Sequence, residues 1–143
     1  MKVYLDTCCY GRPFDDRTQP TIDAEAIAVL TAIDMCHIVG YGIVGSDAVT
    51  FEIGRISDTE TQIKTKALYR EAITEIAMTT EESATRAETY QKRVGMGVMD
   101  SYHLTAAEVA GASVLLTTDK DFIKKAEKIN SAVKVMNPLK FKL

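Results

Sequence analysis

Residues 97–122, GVMDSYHLTAAEVAGASVLLTTDKDF, predict a helix, a buried strand and the start of another helix in immediate succession. The alanines and the apolar spacing predict a helix over Val98–Ala110, and Gly111 fits the position after its last turn. Ser113–Thr117 is an apolar run that predicts a strand, and Asp119 stands where the next helix begins. A strand enclosed by helices is typical of a parallel α/β sheet.

The rest of the chain continues this alternation. The predicted segments are a strand at 3–5, a loop at 7–20, a helix at 21–36, a strand at 38–44, a helix from 47, helices at 59–78 and 81–94, a helix at 119–129 and a strand at 133–136. The expected helix caps are Thr21, Ser46, and Thr79 with Glu82.

Strands joined through helices imply right-handed crossovers. We therefore expect one α/β domain over residues 1–143, a three-layer α/β/α sandwich with a central, mainly parallel sheet of four to five strands. Residues 59–94 would add a helical arm without a strand.

The composition is that of an ordinary globular protein, with 46% hydrophobic and 26% charged residues. No run approaches the ~20 apolar residues of a membrane span, and the first residues lack the long apolar segment of a signal peptide. The number of cysteines is odd, which argues against a disulfide framework, so we expect a cytoplasmic protein with reduced thiols. A zinc site from Cys8, Cys9, Cys36 and His37 would lack the usual C-x₂-C spacing.

The net charge of −3 is unevenly distributed. Residues 120–143 carry seven lysines and two acids, a net charge of +5, whereas residues 1–119 have a net charge of −8. This polarity is compatible with a polyanionic partner and equally with a solvated lysine-rich face.

Four carboxylates stand at the ends of apolar segments: Asp6, Glu52, Asp100 and Asp119. The carboxyl ends of parallel strands open into one crevice, so these acids can converge, with Asp121 as a fifth. No cationic partner is expected one helical turn from any of them. Converging carboxylates repel unless a hard cation or a proton neutralises them, so the pattern predicts Mg²⁺ or Mn²⁺ and metal-assisted phosphodiester hydrolysis. Taken singly, each acid is equally a turn former, a helix cap or a surface group.

Three further residues are placed to assist. Thr117 and Thr118 could orient the carboxylate of Asp119, or simply reflect β-propensity. His103 lies on the same helix face as Asp100 and could contact a carboxylate, although a half-buried structural histidine is the simpler interpretation.

These motifs resemble the PIN-domain family of metal-dependent nucleases, which includes the VapC-like toxins of toxin-antitoxin pairs. The stretches that carry the resemblance are VYLDTCCYGRPFDD (3–16), IVGSDAVTFEI (43–53), GVMDSYHLTAAEVAGASVLLTTDKDF (97–122) and VKVMNPL (133–139). The resemblance implies that Asp6, Glu52, Asp100 and Asp119 are the catalytic, metal-binding quartet, with Asp121 as an accessory ligand. The first loop is longer than in typical toxins and is similar to a less characterised branch, in which Glu25 also lines the site.

The same resemblance implies an endoribonuclease that forms a homodimer and often pairs with an antitoxin protein. Candidates for RNA-backbone contacts are Arg12, Arg17, Lys120, Lys124 and Lys125. A haloacid dehalogenase-type phosphatase would need a second Asp at position 8, and a receiver domain would need regularly alternating strands. The alternative that stays open is a PIN-like scaffold that binds a protein or RNA partner without cleaving it.

Overall fold

A computed structural model describes residues 1–143, in which five strands are enclosed by seven α-helices. The strands are β1 (Lys2–Leu5), β2 (Gly42–Ser46), β3 (Glu75–Ala77), β4 (Val114–Leu116) and β5 (Lys134–Met136). The helices are α1 (Thr7–Gly11), α2 (Pro20–Val39), α3 (Asp47–Gly54), α4 (Thr59–Ala72), α5 (Glu81–Val94), α6 (Val98–Ala110) and α7 (Lys120–Ala126). The chain also contains two 3-10 helices, Arg12–Phe14 and Pro138–Lys140.

The sheet has the order β3-β2-β1-β4-β5, and every neighbouring pair is parallel. The chain first moves outward from β1 to β3 and then returns past β1 to β4. Right-handed crossovers therefore place α1, α2 and α4 on one face and α5, α6 and α7 on the other. In agreement, α1 packs against α2 and α4, while α5 packs against α6. The predicted three-layer sandwich is confirmed.

The centre of the core is β1, which is paired on both sides. Its residues Val3, Tyr4 and Leu5 are buried, and the register sets Tyr4 opposite Val44 of β2 and Leu115 of β4. A strand covered on both faces has no solvent-facing positions, which explains its uninterrupted apolar sequence. None of the helices combines the length and apolar character needed to span a bilayer.

Two predictions for the first third of the chain are wrong. The predicted loop at 7–20 contains α1 and a 3-10 helix, because the Asp6 side chain accepts a hydrogen bond from Cys9 N and starts a helix directly after β1. Thr21 is not a cap, since α2 begins with Pro20 at its first position, where the missing N–H costs no hydrogen bond.

The predicted strand at 38–44 begins too early. Ile38 and Val39 form the last turn of α2, which ends at Gly40 with φ +79°. The left-handed glycine is the true stop signal, and it outweighs the β-propensity of two exposed β-branched side chains. The strand itself covers Gly42–Ser46.

Residues 59–94 do not form a strandless arm. They contain β3, which extends the sheet beside β2 and separates α4 from α5. The capping box of α5 is formed by Thr80 and Ser83, whereas Thr79 donates from its N–H and hydroxyl to Asp47.

The helix predicted to reach Ile129 ends at Ala126. The N–H groups of Lys128 and Ile129 bond three residues back, to Lys125 and Ala126, so the chain tightens into turns there.

Gly45 allows α4 to approach the end of β2. A Cβ atom at this position would lie 2.5 Å from the Tyr69 hydroxyl and 3.0 Å from Ile73 Cγ2. That hydroxyl donates to the Ser46 carbonyl at 3.2 Å and accepts from the Ser46 N–H at 3.1 Å. Tyr69 thus fixes the point where β2 passes into α3.

We expect Gly45→Ala to lower the free energy of unfolding by about 1–3 kcal/mol, because the added methyl group overpacks this contact. Urea unfolding followed by circular dichroism measures the change. Gly54→Ala is the matched control, since no atom lies within 4 Å of the added Cβ. Equal losses in both variants would contradict the steric explanation.

Candidate active site

The carboxyl ends of β1, β2 and β4 meet at one edge of the sheet, where the strand order reverses between β1 and β4. Such a switch point opens a crevice in an open α/β sheet. Asp6 directly follows β1, and Asp119 follows β4 and caps α7. Ser46 ends β2 and caps α3, which carries Glu52 at its sixth position. Asp100 lies in the first turn of α6.

Asp6 is 4% exposed and is held by the start of α1. Its Oδ1 lies 2.7 Å from Cys8 Sγ and accepts from Cys9 N at 3.3 Å. Burial raises the pKa of Asp6 well above its ordinary value, with the neighbouring Cys8 as the next cause. This carboxylate therefore needs a positive partner to stay ionised in its pocket.

Glu52 is anchored through one oxygen. Its Oε1 accepts from Thr7 Oγ1 at 2.7 Å and contacts His103 Nε2 at 2.5 Å. Burial opposes ionisation, but the hydrogen bond and charge of His103, followed by the Thr7 hydroxyl, lower the pKa of Glu52. Because both donors use Oε1, Oε2 receives no hydrogen bond from the protein.

Asp119 is exposed and repeats this arrangement at the start of α7. Its Oδ1 accepts from Asp121 N at 2.9 Å and from Phe122 N at 3.2 Å, so Oδ2 is left without a protein donor. N-capping and availability to a ligand are thus compatible in this residue.

The pKa of Asp100 is affected by the other three acids. Burial raises its pKa from 3.8 to about 7, and the charges of Asp119, Asp6 and Glu52 act in the same direction while His103 opposes them. An acid can be perturbed by three others only when all of them lie in the same region. None of the four forms an ion pair with a lysine or arginine side chain.

No three of the four carboxylates have oxygens that all lie within 4.8 Å of one another. The one set of three His, Cys, Asp or Glu residues whose ligand atoms lie within 4.8 Å of one another is Asp6, Cys8 and Cys9. Cys9 fits a metal poorly, because it is buried, its thiol donates to Leu116 O and burial raises its pKa well above the ordinary value. Hard carboxylate oxygens are consequently the better donors at this edge of the sheet.

Two other predicted acids are occupied elsewhere. Asp121 contacts Lys125 at 2.9 Å, one helical turn away, so the expectation that none of the acids has such a partner is wrong for this residue. Glu25 is buried, with Oε1 3.2 Å from Arg12 Nε and Oε2 accepting from Asn137 Nδ2 at 2.6 Å. Glu25 thus holds Arg12 and is not joined to the quartet directly.

The two threonines have contacts other than those expected. Thr117 Oγ1 accepts from the backbone N–H of Asp119 at 3.1 Å and forms no hydrogen bond with the Asp119 carboxylate. Thr118 Oγ1 lies 3.1 Å from Cys8 Sγ and accepts from Arg12 at 2.9 Å. Both therefore brace the strand ends around Asp6.

The predicted RNA-contacting residues differ in availability. Arg12 is engaged by Asp15, Glu25 and Thr118, and Arg17 by Asp23. Lys125 contacts Asp121 and the Gly95 carbonyl. Lys120 and Lys124 are exposed and form no ion pair.

The sequence allowed His103 to contact a carboxylate, and it does contact Glu52, but the role of Tyr4 behind His103 was missed. His103 is 2% exposed, not half-buried, and its Nδ1 lies 2.6 Å from the Tyr4 hydroxyl. That hydroxyl lies 2.7 Å from Ser46 Oγ. A tyrosine inside a fully buried strand was the available signal, since a buried phenol requires a hydrogen-bonding partner.

A family model described as PIN domain matches residues 3–128 of the 143-residue chain. No curated protein matches the chain significantly.

We expect the metal-free protein to lose thermal stability as the pH is raised from about 5 to about 8. An acid whose pKa is about 7 when folded, against 3.8 ordinarily, stabilises the fold at low pH, and this contribution is lost as the pH rises through 7. Asp100→Asn should make the decline in Tm shallower in chelator-treated samples. Asp34→Asn, an exposed position on α2, should keep the wild-type slope, and identical slopes in all three proteins would contradict the assignment.

Proposed function

The chain belongs to the PIN-domain family, and from this membership we propose that it is a metal-dependent endoribonuclease that hydrolyses RNA phosphodiester bonds. The catalytic residues of this proposal are Asp6, Glu52, Asp100 and Asp119. The observation that carries it is the placement of these four acids at the carboxyl end of the sheet, where none of them pairs with a lysine or arginine side chain. The raised pKa of Asp100, about 7, which has burial as its first cause and the charges of the other three acids next, agrees with this placement. A nuclease fold with uncompensated carboxylates at its crevice is suited to a divalent cation.

The donor set fits Mg²⁺ or Mn²⁺. Glu52 and Asp119 each offer an oxygen that no protein group engages, and Asp6 is buried at the end of β1. Carboxylate oxygens are the ligands that these hard ions prefer. The four acids of the quartet would hold the ion, while Asp121 and Glu25 stay secondary candidates because each already has a cationic partner.

A bound ion of this kind would supply an activated water and neutralise charge on the scissile phosphate. The chain itself supplies orientation. Hydrogen bonds from Thr7 and His103 fix Oε1 of Glu52, and the α7 N-terminus fixes Oδ1 of Asp119. The lowered pKa of Glu52, set by these bonds against the effect of burial, keeps its carboxylate ionised.

The exposed Lys120 and Lys124 of α7 are the side chains that we propose for RNA-backbone contacts. Both belong to the helix that Asp119 begins, and neither is neutralised by an ion pair. Arg12, Arg17 and Lys125 would have to release acidic partners first. Phosphate contacts of this type position RNA without reading its sequence.

The finer proposal is that this nuclease is the toxin of a toxin-antitoxin pair, forming a homodimer and binding an antitoxin protein. Its support is the resemblance of the acidic motifs to VapC-like toxins. Exposed apolar side chains on α2, among them Ile27, Met35 and Ile38, offer surface for such association. Light scattering of the purified chain measures its oligomeric state, and a small open reading frame directly upstream of its gene would support the toxin role.

Addition of Mn²⁺ or Mg²⁺ should raise the Tm of the wild type and permit cleavage of RNA, and a chelator should reverse both effects. Linkage gives about 2.7 kcal/mol of added stability when the ion is present at 100 times its Kd. Asp6→Asn and Asp100→Asn should abolish both the rise in Tm and the cleavage. Differential scanning fluorimetry and gel assays on single-stranded and structured RNA provide the measurements.

Asp34→Asn removes an exposed acid on α2 and serves as the matched control, which should behave as the wild type. A wild type that binds RNA but shows no metal effect in either assay would favour the non-cleaving scaffold instead.

Neutralising Lys120 and Lys124 together should weaken RNA binding and lower the slope of log K against log salt by roughly 0.7 per lost contact. Asp100→Asn prevents cleavage during the titrations and serves as the background. The control double variant neutralises Lys128, which follows α7, and Lys134, the first residue of β5. Lys134 lies at the amino end of its strand, whereas the candidate site lies at the carboxyl ends of the strands. Equal weakening in both double variants would show that net charge alone matters.

A further inference from the structure

The Tyr4 hydroxyl is connected to both ends of α3, the helix that carries Glu52, through Ser46 at its start and through His103 near its end. The Tyr4 hydroxyl lies in the middle of the core, 2.7 Å from Ser46 Oγ and 2.6 Å from His103 Nδ1. Ser46 Oγ also accepts from Val49 N at 3.2 Å and thereby starts α3. His103 Nε2 contacts Glu52 on the same helix. The path Tyr4–Ser46–α3–Glu52–His103 therefore closes on itself.

The members of this ring have little freedom. Tyr4 and Ser46 are fully buried, His103 is 2% exposed, and the rings of Tyr4 and His103 meet edge to face with centroids 5.7 Å apart. Glu52, by contrast, keeps 30% of its side chain exposed. A partly exposed glutamate ordinarily samples several rotamers, and loss of that freedom costs free energy at the moment of binding.

We propose that Tyr4 and His103 are positioning residues that hold Glu52 in the orientation required to bind the metal ion, an inference that rests on the proposed metal-dependent nuclease function. His103 donates from Nε2 to Oε1, while the Tyr4 hydroxyl fixes the position of Nδ1. The unengaged Oε2 then faces the site at no further cost in rotamer entropy.

His103 is not a general base in this arrangement. Both ring nitrogens have partners inside the protein, and the ring is buried beneath Glu52, so no nitrogen is available to a substrate or an attacking water. A histidine that donates to a ligating carboxylate instead tunes and orients that ligand. Loss of such a supporting contact typically costs about 10–100-fold in metal affinity.

Two amide substitutions of His103 distinguish a positioning role from a role in packing alone. In His103→Gln the side-chain NH₂ comes close to the original Nε2 and can still donate to Glu52. In His103→Asn the amide reaches the Tyr4 side but leaves Glu52 without this donor. Both replace a buried imidazole by a smaller amide, so a purely structural role predicts similar losses of stability and the same metal affinity for both.

The test is titration calorimetry with Mn²⁺ alone on the full chain, accompanied by Tm measurements without metal. We expect His103→Asn, which loses the donor to Glu52, to bind Mn²⁺ about 10–100-fold more weakly than the wild type. His103→Gln keeps that donor and loses only the contact with the Tyr4 hydroxyl, as Tyr4→Phe does, so both variants should bind roughly threefold more weakly. Tyr4→Phe keeps the ring packing and removes the hydroxyl alone.

Wild-type affinity in a folded His103→Asn, or in a folded Tyr4→Phe, would overturn the positioning role while leaving the proposed function intact. Absence of Mn²⁺ binding by the wild type would overturn the proposed function and this inference together. Asp6→Asn distinguishes the two results, because it should lose Mn²⁺ binding in the first case and match a non-binding wild type in the second.

Discussion

The candidate site depends on the parallel pairing of β1 with both β2 and β4. The register sets Leu5 opposite Leu116, and Asp6 N donates to Leu116 O at 3.1 Å, so the residues after both strands emerge side by side. Acids more than a hundred positions apart in sequence are brought together in this way. A slip of one residue in β1 would turn every side chain to the other face, and the Tyr4 hydroxyl would leave His103 and Ser46. The apolar core of the sheet therefore fixes the polar contacts around Glu52 as well as the strand order.

The electrostatic arrangement at this edge differs from that of the rest of the surface. Acids elsewhere, such as Glu60 and Glu82, pair with a lysine or an arginine one helical turn away. At the crevice, backbone N–H groups contact the acids in place of lysine or arginine side chains. Asp6 accepts a hydrogen bond from the N–H of Cys9 at the start of α1, and Asp119 accepts from N–H groups at the start of α7. Helix N-termini favour negative charge, so they hold the carboxylates without neutralising them completely. Both capping hydrogen bonds of Asp119 go to Oδ1, so Oδ2 stays available to a ligand. The same side chain can therefore cap α7 and bind a ligand.

Sequence reasoning predicted the parts of this structure that depend on local chemistry. The serine cap of α3, the terminal glycines Gly95 and Gly111 and the positions of the four acids follow from short-range rules. It failed where distant contacts decide. β3 is three residues long and is specified mainly by pairing with β2, and Arg12 is held by Glu25 and Thr118 from two other elements. The contacts of the Tyr4 hydroxyl with His103 and Ser46 likewise join residues far apart in sequence, which no local pattern contains.

The uncompensated charge also bears on the choice between an enzyme and a passive scaffold. Raised pKa values at Asp6 and Asp100 mean that ionising these residues costs stability in the metal-free protein at neutral pH. A protein that only presented a surface to a partner would gain stability from an asparagine at either position, or from a lysine nearby. Sites that violate the local rules of stability in this way are typical of functional centres, where the strain is relieved by the bound ligand. The buried acids and the rigid support of Glu52 therefore favour a cation-binding centre over an inert surface.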